Sequence, residues 1–323
     1  MTVFGVLHTR VSLEILDGVK CALRILGRSE SASVDGVPLA GGAADLLYLD
    51  WYLKADGEPT PVDGPPAPWQ IEPVGVLRAA HSADGEYEAG WQVARVSNLG
   101  RLHVRRPGRP DRVVPRADVL RHDRPFLPAR PGDVVEVSRR HDLEDPSGFW
   151  YTFLGGWDPE SPPGDVVRIY FAVSRSAAAD LVHRLTEQLP RELACSLKVA
   201  VGDDMLGRPD AAVLYASAED LPAVLRVARD VRRALGSGVR SRTPPLTLPL
   251  GDGLALAEEP PGGKQSFGQH RCDALLAAAA EGPADDGRLL RRAREQLVEA
   301  GIDHRHPYRN LGSTLSIDAD GRS

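Results

Sequence analysis

Val166-Val-Arg-Ile-Tyr-Phe-Ala-Val173 is a run of β-branched, aromatic and aliphatic residues broken only by Arg168, and it reads as a strand. Downstream of it, Ser176 can cap a helix running through Leu189, and Cys195-Ser-Leu-Lys-Val-Ala-Val201 and Ala211-Ala-Val-Leu-Tyr215 read as two more strands. Ser217-Ala-Glu-Asp220 has the form of a capping box, with Asp where Glu or Gln is usual, and predicts a helix to about Leu235. A Gly- and Pro-rich passage from Leu250 to Ser266 then precedes two helices near 269–281 and 286–300. This order predicts an α+β fold, with an antiparallel or mixed sheet and packed helices over residues 146–323.

Residues 1–145 read as a smaller α+β region. Val11, Ile15, Leu16, Val19, Leu23, Ile25 and Leu26 recur at helical spacing up to Gly27. Leu46-Leu-Tyr-Leu-Asp-Trp-Tyr-Leu53 is an aromatic, apolar run suited to a core, as helix or strand. The segment 56–68 holds five prolines and two glycines, leaving few amide donors and little apolar surface, so a mobile loop is expected there. Gly90-Trp-Gln-Val-Ala-Arg-Val96, Leu102-His-Val104 and Asp133-Val-Val-Glu-Val-Ser138 are short alternating runs between turn residues and predict a small antiparallel sheet.

The chain has 323 residues, 42% hydrophobic and 26% charged, which excludes collagen-like and wholly disordered classes. Cys21, Cys195 and Cys272 are odd in number and lack CxxC spacing, arguing against a disulfide framework or a thiolate zinc site. With no secretory signal pattern and no apolar run of about 20 residues, a soluble protein of the cytoplasm, without membrane contact, is expected.

Of 39 basic residues only Lys20, Lys54, Lys198 and Lys264 are lysine, leaving 35 arginines. Net charge is −6, yet residues 101–140 hold eleven arginines against five acids. A local basic field on an acidic chain suits an acidic or phosphorylated peptide better than nucleic acid, whose binding domains are basic as a whole.

Pro260-Pro-Gly-Gly-Lys-Gln-Ser-Phe-Gly-Gln-His-Arg271 is a glycine-rich polar loop opening onto a helix, a place where backbone donors can meet an anion. It is not a P-loop, because Glu258 stands at the first glycine position and Gln265 follows the lysine. Lys198 sits between Leu197 and Val199, so alternation turns it to the face opposite those two. Arg168, Tyr170, Arg208, Asp210 and Tyr215 join it if the neighbouring strands pair, and a lysine shielded among cations becomes a better base. His270 and Cys272 lie two apart on a helix and point to different faces, a poor arrangement for a Cys/His hydrolase. His304 and His306 fall in a polar tail, and no metal-binding spacing is present.

The series Arg168-Ile-Tyr-Phe171, Ser196-Leu-Lys-Val199, Arg208-Pro-Asp-Ala-Ala-Val-Leu-Tyr215, Gly253-Leu-Ala-Leu-Ala-Glu-Glu-Pro260 and Ser266-Phe-Gly-Gln-His-Arg271 is similar, in order and spacing, to the HopA-type type III effector-like family. The resemblance spans roughly residues 146–283, including Gly148-Phe-Trp-Tyr151. In actinobacteria that family occurs in gene clusters for class V lanthipeptides and thioamitides.

The resemblance implies a phosphoserine/phosphothreonine lyase, which eliminates phosphate from a precursor peptide phosphorylated by a separate kinase and leaves dehydroalanine or dehydrobutyrine. By motif position Lys198 is the implied base. The acid's position falls on Tyr170, a departure from the histidine of related lyases, with His270 as the other candidate. Arg168, Arg208 and Arg271 are the expected phosphate ligands, assisted by Lys264, Ser266 and Tyr215, with no metal or cofactor. The alternatives are a non-catalytic leader-peptide-binding partner of the kinase and a lanthionine cyclase.

Overall fold

A computed structural model describes residues 3–31, 42–54 and 72–317, apart from Leu99, Pro110, Pro125, Phe126, Pro159, Glu160, Pro163, Asp203, Asp204, Lys264 and Ser316. The proline-rich stretch 56–68 lies outside the described residues.

The strand read at 166–173 is real and central. It is β8 (Val166–Phe171) of a seven-stranded antiparallel sheet with β6 (His141–Asp145), β7 (Phe149–Leu154), β9 (Cys195–Ala200), β10 (Ala212–Ser217), β11 (Leu248–Gly251) and β12 (Leu254–Glu258). The order is β11-β12-β8-β10-β9-β7-β6. Register aligns Tyr151, Lys198, Val213, Tyr170 and Ala255 in one row. Phe153, Ser196, Tyr215, Arg168 and Ala257 form the next row on the same face.

The opposite face presents Trp150, Leu197, Leu214, Ile169 and Leu256. These are buried against α4 (Arg175–Gln188), α5 (Leu221–Leu235) and α3 (Pro73–Ala80). On the Lys198 face, α1 (Val3–Ser31), α2 (Ala43–Leu47), α6 (Phe267–Ala280) and α7 (Asp286–Glu299) pack over Tyr170, Val213, Ala255 and Ala257. Gly18 lets α1 come close, since a Cβ there would stand 2.6 Å from Leu275 and 2.9 Å from Trp51. No residue of β7 or β9 belongs to this apolar cluster, so the helical cover stops at β10 and leaves the row's Lys198 end partly open.

A second antiparallel sheet, ordered β3-β2-β1-β5-β4, comprises β1 (Tyr87–Val96), β2 (Leu102–Arg105), β3 (Arg112–Val114), β4 (Val119–Leu120) and β5 (Val134–Ser138). Trp91, Val93, Leu102, Val104, Val135 and Val137 form its own core. Residues 1–145 are thus distributed over both sheets: α1 and α2 cover the large sheet, β6 is its edge strand, and only β1–β5 stand apart.

Three local expectations change. Ser217 stays in the ladder opposite Val166 and accepts from the Glu219 amide (3.2 Å), so α5 starts after Asp220, whose side chain makes no capping bond. Ser174 rather than Ser176 precedes α4. The passage from Leu250 to Ser266 contains most of the β11–β12 hairpin, which its glycines concealed.

Where the sheets meet, the Asp142 carboxylate is 1% exposed and accepts from Arg78 Nε (2.7 Å), Arg140 Nε (2.8 Å) and Trp150 Nε1 (2.9 Å). Burial alone would raise its pKa, but these bonds outweigh burial and hold the carboxyl below its ordinary range. Nearby, His81 Nδ1 accepts from the Ala83 amide (3.0 Å), so Nε2 donates to Thr152 Oγ1 (3.1 Å). Burial, and secondarily Arg140, pushes His81 down to about 4, while burial and then Arg112 does the same for His141.

From pH 6.5 downward the unfolded chain takes protons that these folded rings refuse. Their stabilisation is therefore complete above pH 6.5 and is lost as the pH falls through about 4. Urea unfolding is expected to show stability falling over that window, by up to about 3 kcal/mol for buried His81 alone. A flat profile would contradict this assignment.

Candidate functional site

Strand alternation places Lys198 on the partly open face, with Leu197 and Val199 buried behind it. Its Nζ lies 3.6 Å from the centroid of the Phe149 ring and 5.7 Å from that of Tyr151. Around it stand Asp210, Arg168, Arg208 and Asp145. Burial is the main force on the amine and, against the opposing pull of Asp210, lowers its pKa to about 8; Arg168 and Arg208 act with burial.

Arg168 is buried, pairs through two nitrogens with Glu259, and lies 5.3 Å over the Tyr215 ring. Arg208 holds Asp210 in a two-pronged pair, with Nε and Nη2 each 2.8 Å from an oxygen. Its guanidinium carbon is 5.7 Å from the Phe149 centroid, on whose ring the Lys198 amine also rests. The site therefore sets three cations against Asp210, Glu259 and Asp145. Each carboxylate takes the Nε and Nη2 edge of its arginine, so an entering anion would compete with Asp210 and Glu259 there.

Tyr170 lies in the Lys198 row two strands away, about 10 Å at the backbone. It is 2% exposed, and its hydroxyl lies beside the Arg168 guanidinium and the Tyr52 hydroxyl. Burial raises the Tyr170 pKa, so the phenol keeps its proton. Tyr215 is likewise raised by burial.

Ser266 is the N-cap of α6 and accepts from the Gln269 amide (3.2 Å). The Tyr48 phenol reaches its side chain. Tyr48 and Tyr52 lie on a π-helical turn (Tyr48–Tyr52) that follows α2, and their rings stack with centroids 5.3 Å apart. Both press against the first turn of α6 at Gly268, where a Cβ would come within 2.4 Å of Tyr52 and 2.5 Å of Tyr48.

Arg271 and His270 sit behind this cluster. Arg271 is fully buried; Nε and Nη2 donate to the Pro307 carbonyl (3.2 and 3.1 Å), and Nη1 meets His270 Nδ1 at 2.9 Å. Four residues beyond Phe267, it falls on the inner side of α6 over that ring, at 3.9 Å, and ties down the loop after α7, with Tyr170, Tyr52 and Arg168 among its neighbours. His270 faces Arg271 and the Ala300 backbone, and it is not among the charged or titratable neighbours of Lys198. Lys264 lies outside the described residues.

Asp210, Glu259, Phe149 and Tyr48 complete the picture. Asp210 and Glu259 stand as acids inside the motif segments of the sequence, whereas Tyr48 lies in the run that reads as core. Burial pushes the Cys195 thiol up to about 12 and raises Cys272, so neither offers a thiolate near neutrality. Among the described residues, no group of three or more His, Cys, Asp and Glu side chains could hold a metal, and no helix is long and apolar enough to cross a membrane. A separate cleft of about 430 Å³ lies among Arg10, Glu14, Asp17, Trp51, Arg242 and Asp252. Its three acids against two bases suit an anion poorly.

The family model of the HopA1 effector protein family matches residues 147–309, the segment that carries β7 to α7 and the Lys198 cluster. The chain belongs to that family. Among solved structures, it is similar to the effector protein from Pseudomonas syringae pv. tomato strain DC3000 at 15% identity and a TM-score of 0.53, covering 92% of this chain and 99% of that one. It is also similar to the effector protein from Pseudomonas syringae pv. syringae strain 61 at 18% identity and a TM-score of 0.53, covering 94% of this chain and 98% of that one. At these identities the likeness is one of fold, and it extends beyond the family-matched segment. No curated protein matches the chain.

Proposed function

We propose that this member of the HopA1 effector family is a phosphoserine/phosphothreonine lyase acting on a precursor peptide that a separate kinase has phosphorylated. The observation that carries the reading is the Lys198 amine, brought by burial to about 8 and set beside Arg168 and Arg208. Lys198 would take the α-proton; the Cα–H electrons form the Cα=Cβ bond, and the Cβ–O bond breaks with inorganic phosphate as leaving group. Arg208, and Arg168 once drawn from Glu259, would hold the phosphate, with Tyr48 and Ser266 on its far side. Tyr170 keeps its proton and serves as the acid candidate in this scheme.

Incubation with a phosphoserine or phosphothreonine peptide should release inorganic phosphate and leave a dehydrated residue, read by mass spectrometry. A phosphopeptide that binds but stays intact would instead favour a non-catalytic holder for the kinase. The closed Arg168–Glu259 and Arg208–Asp210 pairs are the observation on that side.

The arginine-rich sheet is proposed to grip an acidic leader segment. Arg106 and Arg109 pair with Glu88, Arg121 with Asp123 and Asp133, Arg139 with Glu86, and Arg140 with Asp84, Asp118 and Asp142. Arg101, Arg105, Arg116 and Arg130 are exposed and make no ion pair among the described residues. Reversing Arg101, Arg105 and Arg116 to Glu is expected to weaken binding of a full-length peptide about tenfold at low salt, and less at high salt. Elimination from a short leaderless phosphopeptide should be unchanged. Equal loss on both substrates would remove the leader-binding role.

A further inference from the structure

Lys198 makes no hydrogen bond or ion pair among the described residues; its amine rests over the face of Phe149, 3.6 Å from the ring centroid. That placement is built in. The turn between β6 and β7 ends at Gly148, whose φ of 89° favours glycine and whose Cβ would stand 2.9 Å from Met205 Sδ. Phe149 then pairs with Ala200, one step along the face from the Tyr151–Lys198 pair, and Ala200 is too small to fill the space that the ring takes. The ring is 8% exposed, so water does not dilute its field.

We infer that Phe149 is a positioning residue: its ring face holds the Lys198 amine by a cation–π contact and sets how readily that amine gives up its proton. The other groups facing the amine are Asp145 from β6, Tyr151 from β7, Arg168 from β8, and Arg208 and Asp210 from the segment before β10. Of these, the two acids favour the ammonium and the two arginines oppose it. Phe149 adds an attraction that is directional, and it vanishes when the proton leaves. An amine bonded to a carboxylate must break that bond to present its lone pair, whereas an amine resting on a ring need only turn. The catalytic consequence rests on the lyase reading; the contact itself does not.

The test replaces Phe149 with 3,4,5-trifluorophenylalanine, which keeps the ring's shape while withdrawing its electrons. Competitive trace acetylation of the full chain across pH, read by mass spectrometry at each lysine, reports the Lys198 titration, with Lys20, exposed beside Asp286, as reference. The Lys198 midpoint is expected to move down by about half a pH unit, and the lower limb of the elimination rate to move with it. Phe149→Trp, with a stronger face, should move both the midpoint and that limb up. An unchanged Lys198 midpoint in the trifluoro variant overturns the inference, whether or not elimination occurs. Failure of elimination in the unmodified chain, with the midpoint shift intact, overturns only the lyase reading.

Discussion

Lys198→Ala is expected to lower the rate of elimination from a phosphopeptide by roughly 10²–10⁴-fold, the range that a positioned general base contributes. Lys198→Arg should fare no better, although it keeps charge and length, because guanidinium does not give up its proton at any working pH. The pair of variants separates a base from a mere phosphate ligand: if Lys198→Arg retained most of the rate, Lys198 would be holding charge. The effect should fall on kcat with KM little changed, since Arg168 and Arg208 remain. In the unmodified chain the rate should climb with pH through about 8 as the amine becomes neutral, and then level off. The lowered pKa also acts on folding. Between about 8 and 10.5 the unfolded chain holds a proton that the folded one has released, so this group's contribution to stability rises with pH across that window.

Asp142→Ala should produce the largest loss of stability. Its carboxylate answers Arg78, Arg140 and the Trp150 indole, and removing it leaves Arg78 and a buried N–H without this acceptor and Arg140 with only Asp84 and Asp118. Breaking a fully buried pair costs about 3–5 kcal/mol; with Arg78 partly exposed and Arg140 still paired, the loss should fall at the lower end of that range. Asp142→Asn keeps one acceptor oxygen and should lose less. Asp142 pairs with Thr152, whose side chain projects away from the Lys198 face, so elimination per folded molecule should be unaltered in either variant. A loss below about 1 kcal/mol in urea unfolding of Asp142→Ala would mean that Arg140 is held well enough by Asp84 and Asp118 alone.

The strand pattern from 166 to 215 was legible because both faces of the sheet announce themselves in the chain. Leu197 and Val199 flank Lys198, and alternation alone separates them. The convergence of Arg168 with Lys198 followed from pairing the strands, as the register bears out. The carboxylates that answer those cations were harder to read, since Glu259 reaches Arg168 across 91 residues. Nothing in Leu46–Leu53 distinguishes a tyrosine at the edge of a site from one in a core; only the docking of that turn on Gly268 does. Arg271 is hard to read for the opposite reason. A guanidinium in a glycine-rich motif reads as an anion ligand until its partner, the carbonyl of Pro307, is seen to be backbone.

The two-sided sheet bears on how variation in this protein is to be interpreted. Leu197, Val199, Leu214 and Ile169 are fully buried among α4 and α5 and never meet the cleft, yet each neighbours a residue that does. Random mutagenesis scored by activity would therefore flag these aliphatic positions beside Lys198 and Arg168. Sequence drift among relatives would be restrained there too, for reasons of alignment and not of chemistry. Abundance measured alongside activity tells the two apart: a variant behind the sheet loses both together, whereas one on the cleft side loses turnover in a protein that still accumulates.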